Sequence, residues 1–136
     1  MLNFTNLNLL AVLITTFITF GIGAAWYTFL FGKVWQKETG LTDKQIAEGN
    51  MLVTYGGSFI CFFLFNLFIA ALFKNLDPKN WLDGALIGFQ IGFLINIASI
   101  AINYLYQYRS VKLWFVDGGY QLIIMTVAGA ILSVWK

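Results

Sequence analysis

One carboxylate in this sequence lies inside a long apolar stretch rather than beside a loop. Asp117 follows Trp114, an aromatic residue typical of a membrane–water boundary, by about one helical turn. An ionisable group in that position is a functional candidate, because an isolated charge is costly in lipid, and one interpretation is that it binds a proton or another cation. We also consider a structural ion pair with Arg109, Lys112 or Lys33, or a carboxylate that complements a helix N-terminus.

The third apolar stretch has a row of small and polar residues that recur every three or four positions. At about 100° per residue they fall on one helix face. They are Gly84, Gly88, Gly92, Asn96, Ser99 and Asn103. Glycines four residues apart let a second helix approach closely, so the row predicts either a packing seam with polar contacts or the wall of a cavity. Gln90 points to the opposite side and needs a partner in another helix or another subunit.

Matching residues in the first and fourth stretches predict a tight bundle centred on the third helix. In the first stretch, the residues that share a face are Thr16, Thr19, Gly23, Trp26 and Tyr27. In the fourth, Asp117 lies on one side with Gln121, Ala128 and Gly129. The candidate ligand-binding or permeation residues are Asp117, Gln121, Asn96, Ser99, Asn103, Trp26, Tyr27 and Arg109, and the helix-packing residues are Gly84, Gly88 and Gly92.

Four long apolar runs position these residues, over residues 7–32, 51–73, 81–108 and 114–135. A helix that rises ~1.5 Å per residue crosses a ~30 Å hydrocarbon core in about 20 residues, so each run can span a bilayer. The sequence therefore predicts an all-α integral membrane bundle of four transmembrane helices in one domain, residues 1–136. The capping-box spacing of Thr42 and Gln45 predicts a short interfacial helix between the first two spans.

The composition excludes several classes of protein. Hydrophobic residues make up 60% of the chain, which a soluble domain of this length could not bury. The formal charge of +2 does not suggest nucleic-acid binding. No histidine is present and Cys61 is the only cysteine, so we expect no metal, cofactor or disulfide. The motifs of serine hydrolases, zinc proteases and nucleotide-binding loops are missing, which favours a non-enzymatic role.

The basic residues indicate an orientation. Four spans place both termini and the loop after residue 74 on one side, with three basic residues: Lys74, Lys79 and Lys136. The other side has five: Lys33, Lys37, Lys44, Arg109 and Lys112. The positive-inside rule therefore puts both termini outside.

The run from Gly23 to Trp35 resembles the signature of a known bacterial membrane family, the domain of unknown function 1761. Residues 106–114, 117–122 and 129–132 resemble its second half. The resemblance implies a small four-helix integral membrane protein and no established activity. The family often has Tyr-His where this chain has Tyr120-Gln121, so no imidazole-based role is carried over.

We expect a non-enzymatic homo-oligomer in the bacterial cytoplasmic membrane that binds or passes a small solute, ion or lipid. Its partners would be membrane lipid and further copies of itself, and not nucleic acid. One alternative is a structural or assembly partner of another membrane protein. A second is a lipid-modifying enzyme whose aromatic and basic border holds a head group.

Overall fold

A computed structural model of residues 1–136 contains helices and no strands. Four helices are long and apolar enough to cross a membrane: α1 (Leu9–Leu30), α4 (Leu52–Leu76), α5 (Trp81–Tyr106) and α6 (Val111–Val134). Two short helices, α2 (Gly32–Thr39) and α3 (Asp43–Ala47), connect α1 to α4. The prediction of an all-α chain with four membrane-competent helices is confirmed. Insertion in a membrane, and an interfacial position for α3, stay predictions.

Polar side chains cap the starts of several helices. Thr42 and Gln45 form a capping box at α3, in which each side chain bonds the backbone N–H of the other residue. At α5 the side-chain oxygen of Asn80 accepts hydrogen bonds from the N–H groups of Leu82 and Asp83, at 2.9 and 3.0 Å. These caps pair backbone donors that have no partner within the helix.

The centre of the bundle is α6, and the prediction that the third helix is central is wrong. Half of the apolar window of α6 is buried, against 17% for α5. The central helix packs against α1, α4 and α5, whereas α5 packs mainly against α6. The glycines of α5 therefore attach this helix to one side of α6, and they do not form the middle of a bundle.

Backbone-to-backbone contact explains why α5 and α6 pack so closely. A Cβ atom at Gly88 would overlap the backbone carbonyl of Met125, and one at Gly84 would overlap the carbonyl of Gly129. Gly129 meets the same obstacle in return, because a Cβ there would overlap the carbonyl of Gly84. Gly92 continues the seam against the α carbon of Leu122. Larger residues at these positions would force the helices apart.

An amide joins α1 to α4 in the apolar interior. The Nδ2 group of buried Asn66 donates to the hydroxyl oxygens of Thr16 and Thr19, at 3.2 and 3.3 Å. Both hydroxyls also donate to backbone carbonyls of their own helix. The contact gives the buried Nδ2 group of Asn66 two acceptors without a charged group.

Three of the long helices contain a π-helical segment: Trp26–Leu30 in α1, Leu52–Gly56 in α4 and Gly92–Ile97 in α5. A π-helix bonds residue i to i+5, so it rotates the residues that follow relative to a regular helix. In α5 this leaves Ser99 and Asn103 exposed, with the Asn103 amide donating to the Ser99 carbonyl at 3.1 Å. The prediction that one face runs from the glycines to Ser99 and Asn103 is therefore wrong.

Candidate functional site

The half-buried carboxylate of Asp117 receives hydrogen bonds from two tyrosines on different helices. The hydroxyl of Tyr27 in α1 donates to Oδ1 at 2.5 Å, and the hydroxyl of Tyr104 in α5 donates to Oδ2. Asp117 lies six residues after Val111, the first residue of α6, and so beyond the first helical turn. The carboxylate thus links three of the four long helices.

No basic side chain pairs with this carboxylate. The ion pairs of the protein are Lys44 with Glu48, and Asp77 with both Lys79 and Lys136. The predicted ion pair of Asp117 with Arg109, Lys112 or Lys33 is therefore wrong. All three basic residues are exposed, where long cationic side chains keep their hydration. The tyrosines instead reach Asp117 from within the bundle.

The π-helical end of α1 positions the first of these tyrosines. The Phe31 N–H donates to the Trp26 carbonyl at 2.8 Å, which is the i to i+5 bond that closes the segment. Gly32 then lets the chain turn sharply, because a Cβ atom there would overlap the carbonyl of Tyr27. The indole N–H of Trp26 donates to the carbonyl of Val116 at 3.0 Å. Adjacent residues of α1 therefore bond adjacent residues of α6.

A hydrogen-bonded pair of side-chain amides lies one helical turn beyond Asp117 along α6. The Nδ2 group of Asn96, in the π segment of α5, donates to Oε1 of Gln121 at 3.0 Å. The indole N–H of Trp114 donates to the carbonyl of Ile97 at 3.3 Å, in the same segment. Asp117 and Gln121 are four residues apart, so their side chains lie on the same side of α6.

Aromatic rings pack around Tyr27, one of the two tyrosines that bond the carboxylate. The ring of Tyr27 lies edge-on to Tyr120, with centroids 5.2 Å apart, and to Trp35 of α2, at 5.9 Å. The Tyr120 hydroxyl lies so close to Gly23 that a Cβ atom there would contact it at 2.5 Å. A site of this composition, with one carboxylate among phenol and indole rings, suits a cation.

The structure brings five of the eight candidate residues together and leaves three apart. Those that meet around α6 are Asp117, Gln121, Asn96, Trp26 and Tyr27. Those that do not are Ser99, Asn103 and Arg109, whose side chains are exposed and make no hydrogen bond to this group.

Tyr104 is not among the candidate ligand-binding or permeation residues predicted from the sequence. Its position gave a usable signal, since Tyr104 lies two residues before the end of α5 and Asp117 six residues after the start of α6, both within two helical turns of the connection between them. Two antiparallel helices joined by a short turn bring such positions near one another.

The available chemistry is that of one carboxylate, two phenols and two amides. These groups can hold a proton or a cation and can hydrogen-bond a polar solute. No group of three or more His, Cys, Asp or Glu side chains in the chain could hold a metal ion.

The comparisons with known proteins identify a family and no closer relative. The sequence model described as "Protein of unknown function (DUF1761)" matches residues 10–133. No curated protein and no solved structure matches the chain.

Proposed function

Because the chain belongs to the DUF1761 family of proteins of unknown function, we propose its function from the geometry around Asp117. The protein is a non-enzymatic, homo-oligomeric protein of the bacterial cytoplasmic membrane that binds or passes a small cation, of which the proton is the simplest. One observation supports this proposal. The Asp117 carboxylate lies within a membrane-competent helix, accepts hydrogen bonds from two tyrosine hydroxyls and forms no ion pair with a basic side chain.

The balance of charge favours a cation over a neutral or anionic ligand. Two phenol hydroxyls stabilise the Asp117 anion but add no positive charge to offset it. A carboxylate has about four lone-pair sites, and the tyrosines use two of them, so acceptor positions remain for a proton or another cation. An unpaired charge inside lipid is costly, and a bound cation removes that cost.

The neighbouring groups support the same ligand class. The ring of Tyr27, whose hydroxyl bonds the carboxylate, packs against the rings of Tyr120 and Trp35, and aromatic ring faces attract cations. The Asn96–Gln121 pair offers further carbonyl oxygens one turn away. No nucleophile is paired with a general base at this site, so the residues favour binding over catalysis.

The ends of the bundle suggest how the protein lies in the membrane. The side that holds α2 and α3 has more basic residues than the side of the termini, which favours a cytoplasmic position for α2 and α3. Arg109 and Lys112 lie exposed near that end, where they can contact lipid head groups. Lipid and further copies of the chain are the proposed partners.

Proteoliposomes with an internal pH dye test the proposal. A potassium gradient with valinomycin imposes a membrane potential, and proton entry is followed at several external pH values. We expect wild-type protein to increase proton entry above that of empty vesicles, with a rate that depends on pH. The Asp117→Asn variant keeps the shape of the side chain but cannot become charged, so it should abolish the pH dependence.

The matched control is Asp43→Asn, which removes an exposed carboxylate of α3. This variant should behave as the wild type. Vesicles without valinomycin, loaded with sodium- or potassium-sensitive dye, test the other small cations. Flux equal to that of empty vesicles for all three ions, together with no difference in proton binding between wild type and Asp117→Asn, would refute the proposal.

A further inference from the structure

Gln90 is a polar residue that has no partner within its own chain. It is exposed on α5, and the interhelical amide contacts of the bundle involve Asn66 and Asn96 instead. Its position lies opposite the glycines that pack against α6, because it is two residues from both Gly88 and Gly92. The fold therefore turns this amide away from every other helix of the protomer.

Gln90 is exposed at a depth where the side chain would face lipid. It lies nine residues after Trp81, the first residue of a 26-residue membrane-competent helix. At ~1.5 Å per residue it is about 13 Å along the axis, close to the middle of a ~30 Å hydrocarbon core. An amide there cannot reach water by extending its side chain, so its donor and acceptor need a partner in the membrane.

The surroundings of Gln90 form a helix face suited to another helix. Residues one turn before and after it, Leu86 and Leu94, are 53% and 66% exposed. Leu82 and Phe93 extend the same side and are also exposed. The result is an apolar stripe about three turns long with a single amide at its centre.

We propose that this stripe, Leu82, Leu86, Gln90, Phe93 and Leu94, is the contact between two copies of the chain. A side-chain amide is self-complementary, because its NH₂ group donates and its carbonyl accepts. A two-fold axis that passes beside Gln90 lets the two amides bond each other, while the flanking leucines pack together. The basic residues favour one orientation for all copies, so the paired α5 helices run parallel. This inference rests on the homo-oligomer of the proposed function and identifies its interface.

Disulfide cross-linking in native membranes tests the contact. Cys61→Ser removes the only cysteine, and Leu86→Cys or Leu94→Cys is then introduced as a single cysteine on either side of Gln90. In a parallel pair each of these positions approaches its own copy, so we expect a dimer band on oxidation. The wild-type chain is the matched control, since Cys61 is exposed on α4 nine residues after Leu52 and so at a similar depth.

A second variant tests the amide itself. Gln90→Leu keeps an apolar surface but removes the hydrogen bonds between copies. Association in lipid, measured by energy transfer between labelled chains, should weaken by about 3- to 20-fold, the range set by measured polar contacts between membrane helices. The Gln90 side chain is exposed and makes no hydrogen bond within the protomer, so unfolding of this variant in detergent should match that of the wild type.

Photobleaching of single labelled particles in a bilayer separates the possible failures. One bleaching step would show a monomer, which overturns this interface and the homo-oligomer of the proposed function together. Several bleaching steps would show an oligomer. If neither leucine position then gave a stronger dimer band than the Cys61 control, only the interface would be overturned. An unchanged association of Gln90→Leu would do the same.

Discussion

Replacing Gly88 by alanine tests the packing of α5 on α6. The added methyl group would overlap the backbone carbonyl of Met125, which cannot move without its helix. Restoring a normal carbon–oxygen separation requires the two helices to part by roughly 1 Å, and a gap of that size forfeits about a quarter to a half of each dispersion contact along the seam. Overpacking of this kind costs about 1–3 kcal/mol of unfolding free energy.

The matched control for this change is Gly21→Ala in α1. A Cβ atom at Gly21 has no neighbour within 4 Å, so alanine meets no obstacle there. Alanine also favours a helix over glycine by about 0.5–1 kcal/mol, and Gly21→Ala should therefore be neutral or stabilising. The gain in helix propensity is common to both changes, so the two variants should differ by the overpacking cost of about 1–3 kcal/mol when the bundle is unfolded with SDS in mixed micelles and followed by circular dichroism. Equal stability of the two variants would refute the close approach of α5 and α6.

Two further predictions concern polar contacts of the bundle. Asn66→Leu should lower the unfolding free energy by about 1 kcal/mol. The cost is small because the hydroxyls of Thr16 and Thr19 keep hydrogen bonds to their own helix. A loss several times larger in the SDS assay would contradict this. Hydrogen bonds from Lys136 and then Lys79 lower the pKa of the exposed Asp77 carboxyl to about 2. Its stabilising effect should be complete above the unfolded pKa of about 4 and disappear as pH falls through 2, so the thermal unfolding midpoints of wild type and Asp77→Asn should converge in acid. An advantage of the wild type that grows as pH falls would contradict this sign.

The four long helices were predictable because their signal is length and hydropathy, which do not depend on tertiary contacts. The capping box of α3 was equally local, since Thr42 and Gln45 interact across one turn. The threonine row of α1 and the glycine row of α5 followed from helical periodicity. Each of these predictions uses residues within a single element.

The predictions that were wrong depend on irregular helix geometry or on contacts between helices. Nothing in the letters Gly92–Ile97 marks a π segment, yet this segment turns Ser99 and Asn103 outward. Three helices have similar rows of small residues, so these rows alone could not show which helix is central. The central position of α6 depends on its packing against α1, α4 and α5. The partner of Asp117 was misjudged for a related reason: charge alone favoured a basic residue, whereas Tyr104 is brought there by the antiparallel pairing of α5 and α6.

The irregular segments and the candidate site occupy the same half of the bundle. Trp26 and Asn96 both lie in π segments, and both donate hydrogen bonds to α6, to Val116 and Gln121. Toward the termini, α5 is regular and meets α6 backbone to backbone through its glycines. Because π turns commonly occur at functional sites, we expect that, under the proposed function, a change in the ligand of Asp117 would act on these segments. The glycine seam keeps α5 attached to α6, so under the proposed function a cation would bind or leave at one end of the bundle without disrupting the packing at the other.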